Sequence, residues 1–143
     1  MAIKQLTVFV ENRQGALAEV TEWLAAEHID LRALSIADTQ DFGILRLIVT
    51  DTEKAHAVLQ EHGCLVQITD VIAVKISDVP GKLAEALHVL NGAGVNVEYL
   101  YAFLTRTTRH AYVVLRVEDN AAATAVLEDD GFHMVSEADI AKL

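Results

Sequence analysis

Two short segments of the sequence place a polar side chain, a glycine and the start of a helix in the same order. The first is ENRQGALAEV, residues 11–20, and the second is SDVPGKLAEA, residues 77–86. Each offers a side-chain oxygen, at Asn12 or Asp78, three residues before its glycine. Backbone N–H groups at the start of a helix attract carboxylates. Because side-chain oxygens can accept hydrogen bonds from an ammonium group, the segments predict sites for a molecule that carries both charges.

The predicted site has three parts in each segment. The glycines, Gly15 and Gly81, permit backbone angles that other residues avoid and let a ligand approach the main chain. The N–H groups of the first helical turn would bind a carboxylate. A second polar position lies fifteen residues after each glycine, at Asp30 and Asn96. The candidate ligand-binding residues are Asn12, Gly15, Ala16, Leu17, Asp30, Asp78, Pro80, Gly81, Lys82, Leu83 and Asn96.

Both segments belong to a repeat that covers the whole chain. Leu17 and Leu83 align at an offset of 66 residues, and Gly63 and Gly131 align at an offset of 68. The two extra residues fit most simply in a hairpin near residues 105–109, where an insertion disturbs no buried backbone. The repeat predicts two domains, residues 1–69 and residues 70–143.

Each copy of the repeat predicts strand, helix, strand, strand, helix, strand. In the first helix, near residues 15–28, the side chains of Leu17, Val20 and Leu24 share one face. The matching helix lies near residues 81–93, and its predicted buried face has Leu83, Ala86, Leu87 and Leu90. Two hairpins follow, the first of them turning around residues 39–41. The spacing in both copies is therefore that of a βαββαβ unit.

The second helix of each copy has clear start and stop signals. Asp51 and Asp119 are predicted N-caps, because a short carboxylate accepts hydrogen bonds from unpaired helical N–H groups. Gly63 and Gly131 are predicted to end these helices in the left-handed conformation. A last short strand then follows, at residues 64–68 and at residues 133–136. Only two residues, Thr69 and Asp70, lie between the first of these strands and the first strand of the next repeat, VIAVKI, residues 71–76.

These patterns predict an α+β fold with two antiparallel sheets, each with helices on one face, joined rigidly side by side. Several strands are apolar on both faces. In one of them, Tyr99, Tyr101 and Phe103 alternate with Val97 on a single predicted face. Because helices cover only one side of each sheet, the other side is expected to pack against another sheet or subunit. We therefore expect a homodimer.

The composition narrows the classes of function. The chain has 143 residues, and its 21 acidic and 11 basic residues give a net charge of −10, which disfavours nucleic-acid binding. It has no apolar run near the ~20 residues of a membrane span and no signal-peptide pattern. Its single cysteine, Cys64, can form no internal disulfide and is expected to be buried and inert. These features predict a cytoplasmic protein that binds no membrane.

The spacing of the residues does not indicate a metal site, a dinucleotide site or a catalytic nucleophile. The six histidines are scattered, with none four residues apart, so we expect no metal site. The segment GAGVNV follows a helix and precedes a strand, which is the reverse of a dinucleotide fingerprint. The chain has no nucleophile-elbow motif. We therefore expect no cofactor and no catalytic residue.

The repeated Gly-x-Leu at the start of the first helix of each βαββαβ unit resembles a tandem of ACT domains, which are ferredoxin-like. The segment ENRQGAL is similar to the loop in the serine-sensing regulatory domain of phosphoglycerate dehydrogenase, and SDVPGKL carries the Pro-Gly of the family. Gln14 stands where that proline would lie in the first copy, which implies a less rigid loop. The resemblance spans essentially the whole chain and is strongest to stand-alone two-ACT proteins that bind amino acids.

In this family a ligand lies between two ACT units, with the loop of one unit facing the second strand of its neighbour. The resemblance therefore implies that Asn12 faces Asn96 and that Asp78 faces Asp30. The two sites would not be equivalent, and the site with two carboxylates would prefer a ligand that has an additional cationic or imidazole group. Lys82, next to the site with two carboxylates, would instead neutralise one of them and so weaken the preference for a cationic ligand.

Three functions remain open on the sequence. The first is a non-catalytic sensor that binds free amino acids and regulates amino-acid metabolism, acting on a separate enzyme. The second is a regulatory or structural subunit without a ligand of its own, which docks onto a metabolic enzyme through its apolar sheet. The third, a small enzyme similar to acylphosphatase, is disfavoured because the loop lacks the glycines and the basic residue of a phosphoryl cradle.

Overall fold

The structure, a computed structural model, describes residues 2–38, 41–104 and 109–143. It divides the chain into two compact units, Lys4–Thr69 and Asp70–Leu143, and Ile3 is grouped with the latter. We call them the first and the second unit. Residues 39–40, at the tip of the first predicted hairpin, and residues 105–108, where the two-residue insertion is predicted, lie outside the described residues.

The first unit has the predicted alternation of strands and helices. Its sheet order is β2, β3, β1, β4, and the β1–β3 and β2–β3 pairs are antiparallel. Both helices pack on one face of this sheet. The elements are β1 (Ile3–Glu11), α1 (Ala16–Ala26), β2 (Leu31–Asp38), β3 (Phe42–Val49), α2 (Thr52–Glu61) and the beginning of β4 (Leu65–Ser77).

The second unit repeats this arrangement in the order β7, β4, β6, β5, with antiparallel pairs throughout. The predicted α+β fold with two βαββαβ units is confirmed. The last helix, which begins at a capping box formed by Ser136 and Asp139, was not predicted from the sequence. The elements after β4 are α3 (Lys82–Gly92), β5 (Val97–Ala102), β6 (His110–Val117), α4 (Asn120–Asp129), β7 (His133–Met134) and α5 (Glu137–Ile140).

The expected break between two strands at Thr69 and Asp70 is wrong. β4 runs through both residues as one strand of 13 residues. The hydroxyl of Thr69 lies 3.4 Å from the hydroxyl of Thr7, and the carbonyl of Asp70 accepts a hydrogen bond of 3.3 Å from the Asn120 side chain. Because Thr69 and Asp70 both have hydrogen-bonding partners in other elements, the extended strand continues through them. The boundary between the units therefore falls inside a strand.

The predicted helix caps are confirmed. Asp51 accepts a hydrogen bond of 3.2 Å from the backbone N–H of Lys54, and Asp119 accepts one of 3.0 Å from Ala122. Gly63 has a φ of 81° at the end of α2. A short carboxylate before the helix and a left-handed residue after it are therefore reliable signals in this chain.

The core of each unit lies between the sheet and its two helices. In α1 the buried residues are Ala16, Val20 and Leu24, which follow each other at a spacing of four. Leu17, predicted to share their face, is 42% exposed. The prediction was wrong because Ala16, a small residue, begins the buried stripe and Leu17 lies about 100° around the helix from it.

A β-bulge alters the predicted aromatic face of β5. The register with β6 shifts between Val97 and Tyr99. Val97 packs against the helix-side core, whereas Tyr101, 7% exposed, is not part of that core. The predicted common face for Val97 and the aromatic residues is therefore wrong, because an extra residue in one strand reverses which side later residues face.

Candidate functional site

The two strand–helix junctions have the same backbone conformation. Gly15 precedes α1 with a φ of 88° and Gly81 precedes α3 with a φ of 91°, both in the left-handed region. A Cβ atom built at either position would meet nothing within 4 Å. Glycine is therefore favoured here by the backbone angle and not by crowding, since L-residues rarely adopt positive φ.

The hydrogen bonds of the two junctions also correspond. The backbone N–H of Asn12 donates to the Asp41 carbonyl at 3.1 Å, and that of Asp78 donates to the Arg109 carbonyl at 2.9 Å. Each loop is thus attached to the hairpin that follows the first helix of its unit. The backbones of both loops are therefore held in place without a ligand.

The N–H groups of the first helical turn are partly used by the loop itself. Ala16 N–H donates to the Arg13 carbonyl at 3.3 Å, and Lys82 N–H donates to the Val79 carbonyl at 3.4 Å. The expectation that both N–H groups are free is therefore wrong, because the turn before each helix folds back on them. Both bonds are long, however, which makes them weak.

The next N–H groups of each helix have no such bond. In α1 the first regular helical bond runs from Glu19 N–H to the Gly15 carbonyl at 2.9 Å, and in α3 the equivalent bond runs from Glu85 to Gly81, also at 2.9 Å. Within the part of the chain that the structure describes, the N–H groups of Leu17 and Leu83 donate to no backbone carbonyl. These donors remain for an anion at the positive end of the helix dipole.

Arg13 is a charged residue of the first loop that the sequence analysis missed. Its guanidinium group lies 2.9 Å from the Glu19 carboxylate and 3.1 Å from the Glu11 carboxylate. The hydrogen bond from Arg13 lowers the pKa of Glu19 and raises the pKa of Arg13. Val79 holds the equivalent position in the second unit. The two loops therefore differ in charge despite their common backbone.

Lys82 carries the corresponding ion pair in the second unit. Its ammonium group lies 3.1 Å from the carboxylate of Glu85, one turn further along α3. Glu85 is the counterpart of Glu19. The sequence suggested that Lys82 would neutralise a carboxylate at the ligand site. In the structure it neutralises a carboxylate of its own helix.

Asp30 lies at the start of β2 and is joined to its surroundings on two sides. Its backbone N–H donates to the Thr50 hydroxyl at 3.1 Å, and its carboxylate lies 3.4 Å from the Arg32 guanidinium. Arg32 is a second charged residue that sequence reasoning missed. A cationic ligand at Asp30 would have to compete with it.

The loop and the second polar position of each unit lie at opposite ends of its sheet. In the first unit Glu11 pairs with Phe42, whereas Leu31, next to Asp30, pairs with Val49 at the other end of β3. The seven residue steps along β3 correspond to about 23 Å. One amino acid therefore cannot contact both the Gly15 loop and Asp30 of the same unit. The register of the second unit gives the same separation for Asp78 and Asn96.

Asn96 lines an open cavity of about 620 Å³ in the second unit. Its wall also contains Glu98 and Arg116, whose charged groups lie 3.6 Å apart, and the acidic pair Glu118 and Asp119. The polar lining favours a ligand with an ammonium group at this end of the unit. Cavities of 300–1,000 Å³ are typical of small-molecule sites.

β-bulges follow both second polar positions. The register shifts between Leu31 and Ala33 in the first unit, and between Val97 and Tyr99 in the second. Bulges redirect side chains and are common beside functional sites. Neither the bulges nor the two arginines were predicted. For the bulges, the sequence signal was the loss of strict alternation between apolar and polar residues after Asp30 and Asn96.

The described residues provide no clear metal site and no membrane span. Groups of three or more histidine, cysteine, aspartate or glutamate side chains that could hold a metal ion are absent from them. No helix among them is both long and apolar enough to cross a bilayer. Cys64 is half-buried, not fully buried as expected, and desolvation raises the pKa of its thiol.

Comparison with known proteins identifies the family. A family model described as an ACT domain pair matches residues 1–143. The crystal structure of protein BT0572 from Bacteroides thetaiotaomicron is similar over 100% of this chain and 98% of that chain, with 42% identity and a TM-score of 0.93. No curated protein matches the sequence.

Two structures with lower identity share the fold. The ligand-free regulatory subunit of aspartate kinase from Thermus thermophilus matches 90% of this chain and 92% of its own, with 18% identity and a TM-score of 0.67. Aspartate kinase from Synechocystis matches 90% of this chain but only 25% of its own, with 21% identity and a TM-score of 0.59. The predicted resemblance is confirmed: the chain belongs to the family of ACT domain pairs.

Proposed function

We propose that this ACT domain pair binds a free amino acid at its two strand–helix junctions and regulates amino-acid metabolism without catalysing a reaction. The observation that carries the proposal is the agreement between the junctions of Gly15 and Gly81, in backbone angle and in hydrogen bonds. Each junction leaves helical N–H donors for a carboxylate. The aspartate kinase regulatory subunit from Thermus thermophilus, which has a similar fold, supports a regulatory role.

The other half of each site is proposed from the pairing that the family resemblance implies, Asn12 with Asn96 and Asp78 with Asp30. The separation of about 23 Å within a unit supports a site that draws on more than one unit. The ion pair between Asp30 and Arg32 weakens the expected preference for a cationic ligand. We therefore propose two sites of different specificity, in which Arg32 limits the attraction of the Asp78/Asp30 site for cations.

A thermal-shift screen of the twenty amino acids on the full chain tests the proposal. A ligand at a hundred times its Kd adds about 2.7 kcal/mol to the free energy of unfolding, so a true ligand raises the melting temperature. Calorimetry then gives the stoichiometry for the wild type and for Asp30→Asn combined with Asn96→Asp. If this exchange leaves stoichiometry and ligand preference unchanged, the crossed pairing is wrong.

A second candidate, docking onto a separate enzyme, is favoured by the exposed apolar side chains of β2. Leu34 and Ile36 are 38% and 46% exposed, and Phe42, at the start of the neighbouring strand, is 54% exposed. Leu34 and Ile36 share one face of the sheet, because they pair with Leu47 and Leu45, whereas Phe42 lies on the other face. The exposed pair on the edge strand β2 supports the proposed homodimer, because grouped apolar side chains are typical of interaction sites. Light scattering at twice the monomer mass would support the dimer. No response to any amino acid, with capture of one metabolic enzyme from lysate, would favour the docking subunit.

A further inference from the structure

A second cavity in the second unit is lined by basic side chains. It has a volume of about 450 Å³ and lies between the end of β4, the start of α3 and the turn from α4 to β7. The polar residues that line it are Lys75, Ser77, Lys82, His110 and His133, together with the acidic Glu85 and Asp130. We call this cavity the basic groove. It contains neither Asn96 nor the other residues of the cavity at the start of β5.

Strand pairing brings four of these side chains to one face of the sheet. Lys75 pairs directly with His133 of β7, and Ser77 pairs with His110 of β6. Residues two apart on a strand share a face, and paired residues have Cβ atoms about 5 Å apart. The Lys75–His133 and Ser77–His110 pairs therefore place hydrogen-bond donors side by side.

The repeat supplies an internal comparison for this groove. The positions of its two lysines and two histidines are occupied in the first unit by Phe9, Ala16, Phe42 and Leu65. All four are apolar, although the backbone elements of the units correspond. The fold therefore does not require basic residues at these positions, and their joint presence in a chain of net charge −10 needs a separate reason.

The lysines and the carboxylates of the groove are equal in number. Lys82 is paired with Glu85 at 3.1 Å, and Asp130 offsets Lys75 in the count of charges. Each of the two imidazoles adds a ring N–H donor beside these ammonium groups, because every histidine ring carries at least one N–H.

Further charged groups face His133 and Lys75 from the C-terminal segment. Both residues also line an adjoining cavity of about 200 Å³ with Asp139, Lys142 and Leu143. Asp139 accepts a hydrogen bond of 2.9 Å from the backbone N–H of Ser136, so its carboxylate is already engaged. The charges of the Asp139 carboxylate and the Lys142 ammonium group on this side offset each other.

We propose that the basic groove binds the phosphoryl group of a small phosphorylated molecule through Lys75, Lys82, His110 and His133. Four cationic or protonatable donors and the hydroxyl of Ser77 surround one cavity, and a phosphoryl group has several oxygens that accept such bonds. The cavity is large enough for a small metabolite. The groove shares Lys82 and the start of α3 with the proposed amino-acid site at Gly81, whereas Lys75, His110 and His133 lie outside that site. The proposal does not require that an amino acid binds.

The test is an NMR titration of the isotope-labelled full chain with inorganic phosphate at pH 8, with chloride at equal ionic strength as the reference. We expect phosphate to shift the amide signals of Lys75, Ser77 and His133. The variant Lys75→Gln/His133→Gln should weaken phosphate binding about tenfold or more, because it removes two charge-assisted hydrogen bonds. The matched control, Lys54→Gln/His56→Gln, removes the same residue types from α2 of the first unit and should bind as the wild type does.

Sulfate, which has the same tetrahedral arrangement of oxygens and two negative charges, is a second probe. We expect sulfate to shift the same amide signals in the wild type and to bind much more weakly to the Lys75→Gln/His133→Gln variant. Melting temperatures report whether each variant is folded, and all substituted side chains are at least partly exposed.

The proposal would be overturned if phosphate shifted the amide signals no more than chloride does. It would also be overturned if the control variant lost as much phosphate affinity as Lys75→Gln/His133→Gln, or if succinate bound as tightly as phosphate. The amino-acid screen is a separate measurement. Failure there would leave the phosphate titration unaffected, and the reverse also holds.

Discussion

At the scale of single residues, the two loops differ more in their side chains than in their backbones. Arg13 binds two carboxylates, Glu11 and Glu19, and thereby ties the first loop to the first turn of α1. The second loop has Val79 in this place, and Lys82 takes over the pairing with Glu85. Each unit therefore neutralises the equivalent glutamate of its first helix, but from a different position in the sequence. Only the first junction has an arginine in its loop.

The Arg13–Glu19 pair predicts a pH-dependent contribution to stability. The pKa of Glu19 is lowered from its ordinary value of 4.5 because Arg13 donates to the carboxylate. A lowered pKa in the folded state stabilises the fold above the ordinary value, and this stability is lost as the pH falls through the folded value. Arg13→Gln should therefore reduce the free energy of unfolding at pH 7, and the difference from wild type should shrink below pH 4.5.

Urea denaturation between pH 7 and pH 3 measures this difference. Arg109→Gln, which removes the same charge from an exposed position of the second unit, is the control and should show no such convergence. A difference between Arg13→Gln and wild type that stays constant down to pH 3 would show that the pair does not act through Glu19.

At the scale of elements, the sequence was informative where a backbone requirement selects one type of residue. Asp51 and Asp119 could be recognised as caps because few residues can accept hydrogen bonds at a helix start. The bulges of β2 and β5 could not be predicted, because they depend on pairing with distant residues. The continuity of β4 through Thr69 and Asp70 escaped prediction for the same reason.

The candidate site was predictable to the same degree. The glycines at the helix starts were predicted from the repeat, whereas the separation of each loop from its own second polar position came only from the strand register. The ion pairs of Arg13 and Arg32 did not, since an exposed arginine has many carboxylates within reach along the chain and only the folded backbone selects among them. The pairing of side chains was harder to predict from the sequence than the geometry of the backbone.

The helix starts provide a prediction with a control inside the same helix. Gly81 has a φ of 91° before α3, whereas Gly92 is the last residue of α3, and neither position is crowded. Gly81→Ala should lower the free energy of unfolding by about 1–2 kcal/mol, because a Cβ atom is unfavourable in the left-handed region. Gly92→Ala should raise it by up to about 1 kcal/mol, because alanine is the better helix former.

Chemical denaturation of both variants measures the two effects side by side. Equal stability of the variants would mean that Gly81 does not keep its left-handed conformation in solution. Because the conformation of Gly81 directs the first N–H groups of α3, the same variant should also weaken amino-acid binding, while Gly92→Ala leaves it unchanged.

At the scale of the whole molecule, the two units share one strand. β4 begins in the first unit and ends in the second, without a break over 13 residues. Units of this size bury only a modest share of their surface and are marginally stable alone. We therefore expect the two units to unfold together.

The aromatic residues allow this to be measured without labels. The single tryptophan, Trp23, lies in the first unit, where it stacks on His62 at 4.0 Å, and all three tyrosines lie in the second unit. Tryptophan fluorescence and the tyrosine near-ultraviolet signal should give the same urea midpoint, since loss of β4 from one sheet removes it from the other. Gly81→Ala, placed in the second unit, should lower both midpoints equally. If the tyrosine midpoint falls while the tryptophan midpoint stays, the units are independent and β4 does not couple them.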